Sequence, residues 1–190
     1  MDSIIVDVNI FEEFSKVLSE VWIEKIALNS LSFGLLSLTS EFIHDYHSLG
    51  ITIADDATIQ VLNNEYRGLD EITDVLAFSE NYPGQYYGES EKAIYTTESF
   101  PNETGYAGEI VLSYPQCKRQ AEENNVSIDK ELAILISHGV LHLIGYDHTN
   151  NDELKIMEKI QTDSTKHLLN YFHSHSKSKS SRLRQYFVLR

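Results

Sequence analysis

Ile136-Ser-His-Gly-Val-Leu-His-Leu-Ile-Gly-Tyr-Asp-His148 places three histidines, His138, His142 and His148, at relative positions 0, 4 and 10. Residues four apart on an α-helix lie one turn apart on the same face, so His138 and His142 can aim two imidazoles at one ion. Gly145 then ends the helix. Glycine takes the left-handed conformation after a helix C-terminus without steric cost, and that reversal can swing Tyr146, Asp147 and His148 back toward the pair. Three neutral imidazoles with an open fourth position describe a catalytic zinc site better than a structural one, which closes with four protein ligands and usually includes cysteine. A single histidine on an apolar helix is more often a hydrogen-bonded core residue. Three at this spacing, with Gly145 between the second and third, favour the metal.

The spacing is also that of the metzincin proteases, H-E-x-x-H-x-x-G-x-x-H, but Gly139 stands where they carry glutamate. That glutamate is the protease's general base, so the ligand set is present without its peptide-cleaving partner. At the same residues the chain resembles the YbeY family, the bacterial and plastid endoribonucleases and ribosomal RNA maturation factors. His138-Gly-Val-Leu-His-Leu-Ile-Gly-Tyr-Asp-His148 matches the family signature H-G-x-L-H-L-x-G-Y-D-H.

A second stretch, Leu62 to Phe78, is similar to the family's L-N-x-x-Y-R-G-x-D-x-x-T-D-V-L-S-F, with Ala77 in place of the small serine. On pattern alone Arg67 is a solvated helix-end cation. The resemblance implies instead that it lies near the metal cleft and is needed for activity, in keeping with a guanidinium that can hold a phosphate bidentately. Tyr106 to Ser113 resembles the family's G-D-I-x-I-S strand, with Glu109 replacing Asp.

The resemblance covers about residues 49–165. It implies a single α/β (α+β) domain in which a mixed central sheet packs against helices, with a metzincin-like three-histidine metal helix. It further implies one Zn2+ per chain, held by His138, His142 and His148. The activity implied is cutting of single-stranded RNA, in 16S ribosomal RNA 3′ end maturation and in ribosome quality control. The partners implied are ribosomal RNA and the ribosome or small ribosomal subunit proteins.

The chain has 190 residues, 42% hydrophobic, which suits one domain with a full core. Its formal charge of −14 argues against a general binder of DNA or RNA, whose affinity comes mainly from Lys and Arg. The charge is unevenly spread. Lys177, Lys179, Arg182, Arg184 and Arg190 sit in residues 173–190 with no acid among them, leaving ten basic against 29 acidic groups, or −19, in residues 1–172. The expected division is a catalytic domain over 1–172 and a basic, disordered tail over 173–190 that aids RNA or ribosome attachment. The single cysteine, Cys117, rules out an internal disulfide framework and reads as a buried or idle thiol in a reducing compartment. No run has the length of a membrane span, and the first residues lack a basic leader. The expected location is the cytoplasm, or a plastid stroma for a processed organellar chain.

Hydrophobic spacing predicts the elements in order. Residues 3–8 read as a strand, and Phe14, Leu18, Trp22 and Ile26 mark a helix over residues 11–38 that Gly34 can interrupt. His44 and His47 read as surface histidines. A strand over Leu49 to Ala54 precedes a helix capped by Asp55 or Asp56 and closed at Gly68. Strands follow at 73–78 and 106–113, then helices at 116–124, from Ser127 or Asp129 through the histidines, and over 152–169 with Leu154, Met157 and Ile160 inward. The central helix is apolar nearly all round and must be buried. Residues 80–106 read as a long loop, either a lid or an insertion.

Within the motif, Asp147 can orient a ligand imidazole or cap the turn, and Tyr146 reads as packing. Two other functions compete with the endoribonuclease: a metal-bound ribosome assembly factor without catalysis, and a metzincin-like peptidase, which Gly139 disfavours.

Overall fold

A computed structural model describes residues 4–37, 46–80, 105–147, 151–152 and 154–166. Four strands form one sheet: β1 (Ile5–Ile10), β2 (Ser48–Ala54), β3 (Val75–Ser79) and β4 (Tyr106–Ser113), in the order β1-β2-β4-β3. β1 and β4 lie parallel to β2 on either side of it, and β3 runs antiparallel along the outer side of β4. The helices are α1 (Glu20–Ser37), α2 (Asp56–Arg67), α3 (Tyr114–Glu123), α4 (Ile128–Leu143) and α5 (residues 154–166).

Strand alternation sorts side chains to the two faces. On one face Val8, Ile51, Ile110 and Ala77 lie in register across the sheet. This face carries the main core, in which Ile26 and Leu31 of α1, Cys117 of α3, Ile136 and Val140 of α4, and Met157 of α5 are buried. On the other face Leu76 and Val111 pair and are buried with Ile59, outside that core. Tyr66 of α2 meets Phe78 of β3 edge-on at 5.0 Å, so α2 lies against this second face.

Local chemistry sets several boundaries. Asp55 caps α2 by accepting from the Thr58 N–H, and Gly68 closes it in the left-handed conformation at φ 70°. The Ser113 and Ser127 hydroxyl oxygens cap α3 and α4. Cys117 is fully buried, and burial pushes its thiol up to about 12, so it is inert at neutral pH.

The structure corrects several expectations. α1 begins at Glu20, not near residue 11, because Ser19 caps it and the preceding residues form turns. Phe14 is buried through an edge-on contact with Tyr114, 5.1 Å between ring centres, and not as part of a helical stripe. Gly34 does not interrupt α1. β1 and β3 start about two residues later than expected, and α3 starts two residues earlier, at Tyr114. Leu154 is not inward: it is 37% exposed, whereas Met157 and Ile160 are buried. His47 is exposed, as a surface histidine should be, and His44 lies outside the described residues. The expected loop, apart from its ends, and the expected tail also lie outside them. No described helix is long and apolar enough to cross a membrane.

Candidate metal centre

α4 runs across the sheet at close range because of Gly139. A Cβ at this position would lie 3.0 Å from both Cδ1 and Cγ2 of Ile110, so the position that holds glutamate in metzincins is here pressed onto β4. Any side chain at this position would require Ile110 to give way by a few tenths of an ångström. One turn of α4 carries His138 and His142 beside that contact, and the last turn is tied to β3, the edge strand, by the Ser79 hydroxyl donating to the Leu143 carbonyl at 2.8 Å.

The two imidazoles meet edge to face, with ring centres 4.4 Å apart. Their Nε2 atoms are 3.0 Å apart. Two Zn–N bonds at a tetrahedral angle put their nitrogens roughly 3.3 Å apart, so the pair fits a shared cation within a few tenths of an ångström. His142 is 3% exposed and its ring is fixed from behind: Nδ1 lies 2.8 Å from the Tyr146 carbonyl oxygen. Only the N–H form can donate to a carbonyl, which places the proton on Nδ1 and leaves a lone pair on Nε2, facing His138. A histidine ligand held this way is oriented before the ion arrives.

The turn after α4 takes the predicted form. Gly145 has φ 94°, a conformation that any side chain would strain, and the chain reverses through Gly145 N–H donating to the His142 carbonyl and Tyr146 N–H to the Leu141 carbonyl, both at 3.0 Å. The Tyr146 backbone carbonyl thus orients His142. Tyr146, read as packing alone, also has a polar contact: its hydroxyl donates to the Gly34 carbonyl of α1 at 2.8 Å. Burial holds that phenol above its ordinary range, so it is a protonated donor at neutral pH. Nothing in local spacing ties residue 34 to residue 146. Only the crossing of α1 and α4 reveals it.

The third histidine of the motif, His148, lies outside the described residues, and among these no three His, Cys, Asp or Glu side chains converge on one point. Arg67 ends α2 and is partly exposed, on the face of the sheet opposite α4. Among the described residues its guanidinium has no carboxylate partner, unlike that of Arg119, which is taken up by Asp56. No described contact joins Arg67 to the histidine pair.

Comparison with known proteins is consistent along most of the chain. The profile of the family described as endoribonuclease YbeY matches residues 13–170. An endoribonuclease YbeY of Halalkalibacterium halodurans is 42% identical over 117 residues, covering 62% of this chain and 69% of its own length. Another, from Dehalococcoides mccartyi, is 37% identical over 155 residues, covering 82% of this chain and 84% of its own. The solution structure of a Thermotoga maritima protein superposes with a TM-score of 0.54 at 23% identity, over 90% of this chain and 93% of that one, and shares the fold. The reach of the profile and the identity with these relatives settle the matter: this chain belongs to the endoribonuclease YbeY family.

Proposed function

We propose that the chain is a zinc-dependent endoribonuclease that cuts single-stranded RNA in ribosomal RNA processing, including 16S ribosomal RNA 3′ end maturation, and in ribosome quality control. Membership of the family makes it a hydrolase acting on phosphodiester bonds within RNA, and such an activity is consistent with a metal cofactor. The observation that supports zinc at this place is the pair of Nε2 atoms 3.0 Å apart, with the His142 lone pair directed by the Tyr146 carbonyl. His138, His142 and His148 hold one ion per chain in this reading. Zinc, when bound, supplies a Lewis acid that polarises a phosphate oxygen and lowers the pKa of water to about 7.

The chain's own residues do the remaining work. α4 is buried nearly all round, so its histidines stand in a rigid wall of low polarity that keeps them in register. Arg67, which has no carboxylate partner among the described residues, takes a phosphate of the incoming strand through its two-pronged guanidinium and orients the bond to be cut. Gly139 offers no carboxylate, so the attacking oxygen is activated without a protein base at this position. The basic tail adds electrostatic attachment to RNA or to the small ribosomal subunit.

The test combines metal analysis with cleavage of a single-stranded RNA. The purified chain should hold about one zinc and cut the strand internally, and replacing His142 and His148 together by Ala should abolish both. A doubly substituted chain that retains stoichiometric zinc would overturn the assignment.

A further inference from the structure

We infer that Tyr146 is a positioning residue for the metal centre, transmitting the placement of α1 to the ring of His142; the inference rests on the proposal that His142 is a ligand. The carbonyl that orients His142 belongs to a residue beyond the helix, immediately after the left-handed Gly145. Backbone leaving a helix through a glycine has no rigidity of its own. Tyr146 acquires it from hydrogen bonds at three points: its N–H donates to the Leu141 carbonyl at 3.0 Å, its hydroxyl donates to the Gly34 carbonyl at 2.8 Å, and its carbonyl receives the His142 Nδ1–H at 2.8 Å.

The α1 end of this strut is built for the contact. Gly34 lies in the last described turn of α1, where its carbonyl accepts the Tyr146 phenol. The approach requires glycine. A Cβ at residue 34 would lie 2.5 Å from Ile144 Cδ1, 2.9 Å from Leu141 Cδ2 and 3.6 Å from the Tyr146 ring. Gly34 and Tyr146 together therefore set how far the post-helix turn stands from α1, and through the Tyr146 carbonyl they set the rotation of the His142 ring. Losing a group that orients a ligand histidine weakens metal affinity by about 10- to 100-fold, and a group one step further out stands at the lower end of that range.

The experiment measures the zinc dissociation constant of the full chain at neutral pH by competition with a chromogenic chelator, with metal-free melting temperatures recorded in parallel. Tyr146→Phe removes only the hydroxyl. Ser164→Ala is the control, because it removes a buried hydroxyl that bonds the Ser137 hydroxyl in α4, on a side away from the ligands. Zinc binding should be about tenfold weaker in Tyr146→Phe and unchanged in Ser164→Ala, even where the two lower the metal-free melting temperature equally. Unchanged zinc affinity in Tyr146→Phe, whatever its melting temperature, reduces the residue to packing and overturns the inference. The unsubstituted chain reports separately on the underlying proposal: no zinc binding there removes the metal centre, and the inference with it. Binding there with an unchanged variant removes the inference alone.

Discussion

Asp56, in the first turn of α2, and Arg119, in α3, form a two-pronged ion pair, Nη1 to Oδ2 at 2.8 Å and Nη2 to Oδ1 at 2.9 Å. The Ser113 hydroxyl donates to the same Asp56 carboxylate at 2.6 Å while capping α3. β2 and β4 are parallel neighbours whose following helices leave toward opposite faces of the sheet, and this cluster joins the two departures. The Arg119 hydrogen bonds hold the Asp56 carboxyl below the ordinary carboxylate range, and Thr58 does the same for Asp55 at the α2 cap.

A pH-dependent stability follows. A carboxylate whose pKa is depressed in the folded state contributes stability above its unfolded value of about 4, and that contribution is lost as pH falls through the lower folded value. Asp56→Asn should therefore cost about 1 kcal/mol in urea unfolding at neutral pH, the upper end for a partly exposed pair, and much less near pH 2. An equal deficit at both pH values would show that the carboxylate charge is not what stabilises the junction.

Gly34→Ala should destabilise the chain by about 1–3 kcal/mol, because Ile144 and Leu141, both fully buried, must move to admit the new methyl. Thermal or urea unfolding of the metal-free chain measures this. A neutral substitution would mean that the α1–α4 crossing is looser than the contact distances imply.

Zinc loading should fall below about pH 6, since ligating imidazoles must be neutral and protons compete for the same lone pairs. Dialysis at stepped pH followed by metal analysis gives the curve. Loading that persists undiminished at pH 4 would point to carboxylate ligands in place of histidines.

Arg67→Lys keeps the charge but loses the fork that matches phosphate, so cleavage of single-stranded RNA should fall by about tenfold or more while zinc content stays the same. Equal rates for the two proteins would return Arg67 to an ordinary exposed helix-end cation.

The source of the attacking oxygen can be read from one modified substrate. We expect water as nucleophile, so an RNA with a single 2′-deoxy sugar at the cleavage position should still be cut there. Complete loss of cutting, with cyclic phosphate ends on unmodified RNA, would instead identify the neighbouring 2′-hydroxyl.

Much of this molecule is legible before any tertiary contact is known, wherever a boundary depends on chemistry within one turn. Asp55 and Gly68 bracket α2, Ser127 opens α4, and the left-handed Gly145 ends the histidine helix, because caps and positive φ act on adjacent backbone groups. β4 has its expected limits, since Ile110, Val111 and Leu112 form the apolar, buried run that carries the strand signal itself. The two family signatures mark the same helix turn and helix end that the structure describes.

What only the tertiary structure decided concerns partners far apart in the chain. The spacing of Phe14 and Leu18 continues the α1 stripe on paper, yet Phe14 is buried by Tyr114, a hundred residues away, and the helix starts at Glu20. Gly34 reads as an interruption until α4 is laid against it, and Gly139 reads as a missing base until Ile110 is seen beneath it. The sequence by itself determined the element order, the caps and the candidate ligands, because these follow from local backbone chemistry and one-turn spacing. The sheet order β1-β2-β4-β3, the side on which α2 lies, and the hold of Tyr146 on His142 through α1 depend on which apolar faces pack together. That is a property of the whole core, and no short window of residues contains it.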